Sequence, residues 1–167
     1  MKIAFILSNG VVSPSNGIVN QAKTWRKALE KFDHDVVLIN MWDNNDWASF
    51  DIIHLFGFSV YMRDFINELY KINSHIVVSP ILDPDYSISR LKLYSRFGIS
   101  KLNLSNQFHS LFSIKDKIRA IFVRSEFEKQ YMEKGFGFKN GVCIVLRLSY
   151  NLQPHNKKIV KEPFCFH

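Results

Sequence analysis

Long apolar runs are missing from this sequence, and cysteine is almost so. The amino-terminal apolar run, Ile3 to Leu7, is too short for a signal peptide or a membrane span. A cytoplasmic protein is therefore expected. Cys143 and Cys165 are the 2 cysteines; they form no CxxC pair, and the 6 histidines show no ligand spacing beside them. Neither a zinc site nor a disulfide framework is expected, so the thiols should be reduced and structural metal absent. The chain has no G-x-G-x-x-G, and its second expected strand ends at Asn40, where a dinucleotide site would need an acidic residue for the ribose. It has no G-x-x-x-x-G-K-[ST] either, which argues against a P-loop nucleotide hydrolase. Internal repeats and low-complexity tracts are also absent, and no nucleic-acid partner is expected.

What is present is the pattern of an α/β domain. The apolar run Lys2 to Leu7 reads as a parallel strand covered on both faces. A polar loop, Ser8 to Asn16, leads to Ile18, after which apolar residues recur at 18, 22, 25, 29 and 32. That spacing predicts a helix over 18–32 with one buried stripe, and Asn16 is suited to cap it. Val36 to Ile39 reads as a second strand and Phe50 to Phe56 as a third, ended by Gly57. A helix over 60–72 follows, then a strand at 75–79 stopped by Pro80. Two helices, 88–97 and 100–113, flank Gly98; a fifth strand spans 118–123. Ser125 with Glu128 has capping-box spacing for another helix closed by Gly135 or Gly137, and 142–146 is a sixth strand. The fold class expected is α/β: a Rossmann-like, mostly parallel sheet of about six strands with helices on both faces. In such sheets ligands bind beyond the carboxyl ends of the strands, where the strand order reverses.

Charge is unevenly spread. The net charge is −3 over residues 1–87, +6 over 88–119 and +4 over the remainder. The basic segment is interleaved with Leu91, Leu93, Tyr94, Phe97, Leu102 and Leu104. It reads either as a surface for anionic lipid or a phosphorylated substrate, or as a solvated face, since Gly98 prevents one long amphipathic helix. Beyond Leu146 periodicity fades. The expected organisation is a domain over 1–147, an interdomain linker over 148–163 and, at 164–167, the start of a second domain. On this reading the chain is part of a longer protein whose carboxyl-terminal domain is missing.

The helix that starts after Asn16-Gly17 directs free N–H groups and a positive dipole end at the loop before it. Gly17 would let a phosphate or sugar approach the backbone, although an ordinary capped helix has the same appearance.

In order and spacing these segments resemble the amino-terminal domain of family 4 glycosyltransferases, the retaining, metal-independent enzymes of the GT-B fold. Lys2 to Leu7 with Ser15-Asn16-Gly17-Ile18 is similar to the family's first strand and glycine-containing loop. Phe50-Asp51-Ile52-Ile53-His54-Leu55-Phe56-Gly57 resembles its "D-hydrophobic-hydrophobic-H-x-H/x-G" strand, and Val123 to Lys129 its "V-x-S-E-x-x-K" element. Leu146 to Phe166 resembles the crossing into the second domain, so the resemblance spans essentially the whole chain. There are departures. Asn16 stands where the family often has a further glycine, and Ser79-Pro80-Ile81-Leu82-Asp83 replaces "T-x-H-D", keeping the aspartate and losing the histidine.

The resemblance implies the acceptor-side half of a GT-B enzyme that transfers a sugar from a nucleotide-sugar to a glycan or lipid-linked acceptor, as in cell-surface polysaccharide synthesis. The nucleotide-sugar is then a substrate, with no cofactor and no metal, and this chain alone should be inactive. Asn16, Gly17 and Ile18 would line the donor-phosphate side of the cleft; His54, Gly57, Asp83, Tyr86 and Ser125 would face the acceptor. Catalytic residues are unassigned here, Asp83 being the one candidate. Each has a plainer reading beside it: His54 as a satisfied core histidine, Asp83-Pro84-Asp85 as turn chemistry, and Trp42, Trp47 and Tyr86 as edge cover rather than sugar-stacking rings. Peripheral contact with an anionic membrane through 88–119 would place the protein on the inner face of the membrane. The alternative is a non-catalytic α/β module that binds a phosphorylated or nucleotide ligand.

Overall fold

The structure, a computed structural model, describes residues 1–7, 17–82, 86–97 and 106–147. The expectations placed on Asn16, Asp83, Asp85, the first turns of a 100–113 helix and everything from 148 onward lie outside those residues. Six strands form one all-parallel sheet: β1 (Lys2–Leu7), β2 (Asp35–Leu38), β3 (Ile52–Phe56), β4 (Ile76–Ser79), β5 (Ala120–Val123) and β6 (Cys143–Val145). Their order is β2-β1-β3-β4-β5-β6. The helices are α1 (Gly17–Glu30), α2 (Val60–Ile72), α3 (Ile88–Arg96), α4 (Gln107–Ser113) and α5 (Glu126–Gln130), the last running on as a π turn over Tyr131–Gly135. The Rossmann-like α/β fold class read from the sequence is what the chain adopts.

Alternation along each strand divides the interior in two. Ala4, Ile6, Ile53, Leu55, Ile76, Val78, Ile121 and Val123 face a broad core shared with α2, α3, α4 and the π turn. From α2, Met62, Ile66 and Leu69 enter it, separated by four and three residues on one helix face. Ile66 is fully buried, and such burial contributes about 1.5–3 kcal/mol. Ile3, Phe5, Val36 and Phe56 point the other way, under α1, where Ala22 and the half-buried Trp25 meet them. Trp25 thus takes the core position that its place on the helix stripe implied.

The connection from β2 to β3 has no long helix, only a 3-10 turn at Trp47–Ser49. Asn73 secures it. Its amide donates to Trp47 O at 3.0 Å and Phe50 O at 2.7 Å, while its Oδ1 accepts from His75 N at 2.9 Å. Because the Phe50 carbonyl is used in this way, β3 begins at Ile52 rather than Phe50. Trp47 packs edge-on against Phe65, 5.8 Å between ring centroids, and is half-buried against the broad core. Helix α1 stops at Glu30, short of residue 32, because the chain turns through Asp33 with φ 58°. Helix α4 begins at Gln107 because the Asn106 side chain caps it, accepting from His109 N at 2.8 Å. The capping box expected at Ser125 forms by half. Ser125 Oγ accepts from Glu128 N at 3.1 Å, but the Glu128 carboxylate goes one residue further back, to Arg124 N at 2.7 Å.

Candidate functional site

The chain leaves β1 for β2 on one side and returns to β3 on the other, so the strand order reverses between β1 and β3, whose carboxyl ends meet as the pair Leu7 and Phe56. At this switch point a parallel sheet opens a crevice. Two expected residues border it. Gly17 is the first residue of α1, exposed, and a Cβ added to it would meet nothing within 4 Å. Packing therefore does not require glycine at 17, and the space beside it is open. The first turn of α1 carries no acidic residue to oppose an anion. Ile18 is half-buried against the core under α1. Gly57 follows β3 with φ 76°, a conformation that side chains with a Cβ resist, and its N–H donates to Ser79 O at 2.8 Å.

His54 lies one layer below. It is 4% exposed, in the middle of β3 and facing α1, with its Nε2 sharing a 2.9 Å hydrogen bond with Ser79 Oγ. Its ring stacks on Phe56 at 4.1 Å and meets Phe5, Trp25 and Phe122 at 5.3, 5.5 and 5.3 Å. Burial in this aromatic box lowers its pKa from 6.5 to about 3, so the ring is neutral at physiological pH. The structure thus gives His54 a satisfied interior position behind the crevice rather than on its rim.

A second group gathers at the carboxyl ends of β4 and β5. Glu128 is 4% exposed; one carboxylate oxygen accepts from Leu82 N at 3.3 Å, the other from Arg124 N at 2.7 Å and Arg124 Nε at 3.2 Å. Arg124 Nη2 donates to Leu82 O at 3.5 Å. One buried carboxylate thereby ties the loop after β4 to the loop after β5. Directly before Leu82, Ile81 has φ 50°, an unfavourable conformation for a β-branched residue, and such strain gathers where function fixes a loop. Ser125, exposed beside this pair, uses its hydroxyl as the α5 cap. Tyr86 packs edge-on against Tyr94 and Phe108 at 5.5 and 5.8 Å, on the α3–α4 side.

Of the expected site residues, Gly17 and Gly57 therefore border the crevice, His54 lies behind it, and Ser125 and Tyr86 stand further along the sheet. Asn16 and Asp83 lie outside the described residues. Ile81, Arg124 and Glu128 were not singled out as site residues. The sequence signal was the spacing of four between Arg124 and Glu128 across a helix start, which reads equally well as an ordinary helix pair. Trp42, 95% exposed, projects from a loop braced by Asn40 and Asn45, whose side chains bond Asp43 Oδ1 and the Asn40 carbonyl. Among the described residues no three of His, Cys, Asp or Glu are grouped to hold a metal ion, and no helix is long and apolar enough to cross a membrane. Burial, then the charge of Glu133, pushes the Cys143 thiol up to about 11, too high for a ready nucleophile. No protein family, curated protein or solved structure matches the chain.

Proposed function

We propose that this chain is the acceptor-side domain of a retaining glycosyltransferase, which with a second α/β domain transfers a sugar from a nucleotide-sugar to a glycan or lipid-linked acceptor. The observation that carries the reading is the β1–β3 switch point, with Gly17 and the α1 amino terminus on one side and the left-handed Gly57 on the other. A helix amino terminus beside open space favours a developing diphosphate through its N–H groups and dipole, without a metal. The order of motifs from Lys2 to Lys129 adds the family resemblance. In this reading His54 acts through packing: it keeps the β3–β4 ends and α1 in register and touches no substrate.

The test is nucleoside diphosphate release. The chain joined to the second domain that this reading requires is offered a panel of nucleotide-sugars with and without glycan and polyprenyl-phosphate acceptors. Acceptor-dependent release is expected, and Gly17→Asp should lower kcat/KM by about tenfold or more, because a carboxylate there opposes the leaving anion by a kcal/mol or more. Tight nucleotide binding by residues 1–167 alone, with no turnover in the two-domain protein, would overturn the proposal in favour of a non-catalytic nucleotide module.

A further inference from the structure

Helix α3 has one buried face and, opposite it, an exposed apolar one. Leu91 and Ser95, four residues apart, are fully buried, and Ser95 Oγ donates to the Gly135 and Lys92 carbonyls at 3.2 and 3.1 Å. Leu93 and Phe97, also four apart, are 52% and 66% exposed. Two residues of offset rotate the second pair by about 200° from the first, so Leu93 and Phe97 project directly away from the protein. A helix with one buried side normally places charge at those positions. Here the charge lies beside them: Arg90, Lys92 and Arg96 are all exposed, and no acidic residue occurs between 86 and 97. Among the described residues none of the three is in an ion pair. Tyr94, 40% exposed and braced by Tyr86, adds an amphipathic ring at the border.

We propose that the outer face of α3 docks on an anionic lipid bilayer, with Leu93 and Phe97 entering the headgroup region and Arg90, Lys92 and Arg96 contacting phosphates. Apolar anchors rimmed by cations, on a helix lying against the surface, match the chemistry of that interface. Charge complementarity selects the occupant. A second copy of the chain would bring like charges face to face, and a neutral apolar partner would leave three cations desolvated and unpaired. The wider chain agrees in sign, with 7 basic and 1 acidic residues over 88–119. The proposal stands apart from the proposed activity and needs no turnover to test.

Co-sedimentation with vesicles of phosphatidylcholine, with or without phosphatidylglycerol, decides it. Low-salt binding to the anionic vesicles alone is expected, reversed by high salt. Arg90→Gln/Lys92→Gln/Arg96→Gln should weaken it by about a hundredfold, at roughly fivefold per charge. Leu93→Ser/Phe97→Ser, which leaves the charges in place, should weaken it by about tenfold or more. Both sets change exposed side chains, so their melting curves should match wild type and serve as the folding control. Phe97→Trp adds a position-specific readout when Trp42, 95% exposed, is replaced by Phe in the same protein and the emission of Trp42→Phe alone, from Trp25 and Trp47, is subtracted. The difference emission should shift to the blue only with anionic vesicles. Absence of binding, binding that neither variant weakens, or vesicle binding without that blue shift would overturn the proposal; so would sedimentation without lipid that the same variants abolish, because it would mark a self-association face.

Discussion

The two faces of the sheet are built from the same strands yet differ in kind. The broad face, under α2, α3 and α4, is chiefly aliphatic: Ile53, Leu55, Ile66, Ile76, Val78 and Ile121 pack with almost no exposure. The narrow face, under α1, has a cluster of rings at its centre, bordered by Ile3, Ala22 and Val36: Phe5, Trp25, His54, Phe56 and Phe122 meet at 4.1 to 6.0 Å. The broad face could lose one side chain and keep many neighbours. The narrow face is one interlocked cluster with a neutral histidine at its centre, and it supports the helix whose amino terminus stands at the switch point. The difference shows that volume fills one side of this sheet while specific ring geometry and one polar pair organise the other.

Adjacent residues of β3 test that contrast most strongly. Leu55 faces the broad core and Phe56 the narrow one, and both are fully buried. Phe56→Ala should cost about 3–5 kcal/mol and Leu55→Ala about 2–5, measured by urea unfolding. Near-UV circular dichroism should change sharply in Phe56→Ala alone, since it removes a ring 5.6 Å from Trp25. Equal spectral change in both would show that the faces are not separate clusters.

Acid should find the narrow face next. The folded pKa of His54, about 3, lies below its ordinary 6.5. The unfolded chain therefore binds the proton first. The contribution of the neutral ring is complete above pH 6.5 and is lost progressively as the pH falls toward 3, with about 2 kcal/mol gone at pH 5. Replacing the ring with His54→Phe should flatten that part of the stability–pH curve. A wild-type curve already flat from pH 6.5 to 4 would mean that the ring takes up its proton within the fold. The smallest expected effect is at Ser79, 1% exposed: Ser79→Ala removes the hydroxyl at 2.9 Å from Nε2 and should cost about 1–2 kcal/mol in thermal unfolding at pH 7. That loss should shrink when His54→Phe is already present, because the two residues share one interaction.

Local pattern made much of this legible. The uninterrupted apolar run of β1 signalled a strand covered on both sides, and the alternating steps of α1 signalled a helix with one buried stripe. Gly57 was readable as a strand terminator because glycine alone takes φ 76° without strain. The site was less legible. His54 could be seen to lie in a strand, but its face and partner depended on β4 supplying Ser79, 25 residues later. Glu128 had the spacing of a capping box, and its carboxylate instead serves Arg124 and the loop after β4, 46 residues back at Leu82. A buried carboxylate takes whichever donors the fold leaves unpaired, and spacing along one helix does not reveal them.

By itself, then, the sequence determined the kind and order of the elements, the burial stripes of β1, α1 and α2, and the concentration of positive charge over 88–119. These are local properties, written in periods of about two and 3.6 residues. Only the tertiary structure decided the β2-β1-β3-β4-β5-β6 order and hence the switch point, the aromatic box around His54, and the outward aim of Leu93 and Phe97. Each of these depends on which distant segment occupies one side of a helix or strand: in α3 the side carrying Leu91 and the polar Ser95 is buried because Gly135 packs beneath it, and the more apolar pair Leu93 and Phe97 is left outside.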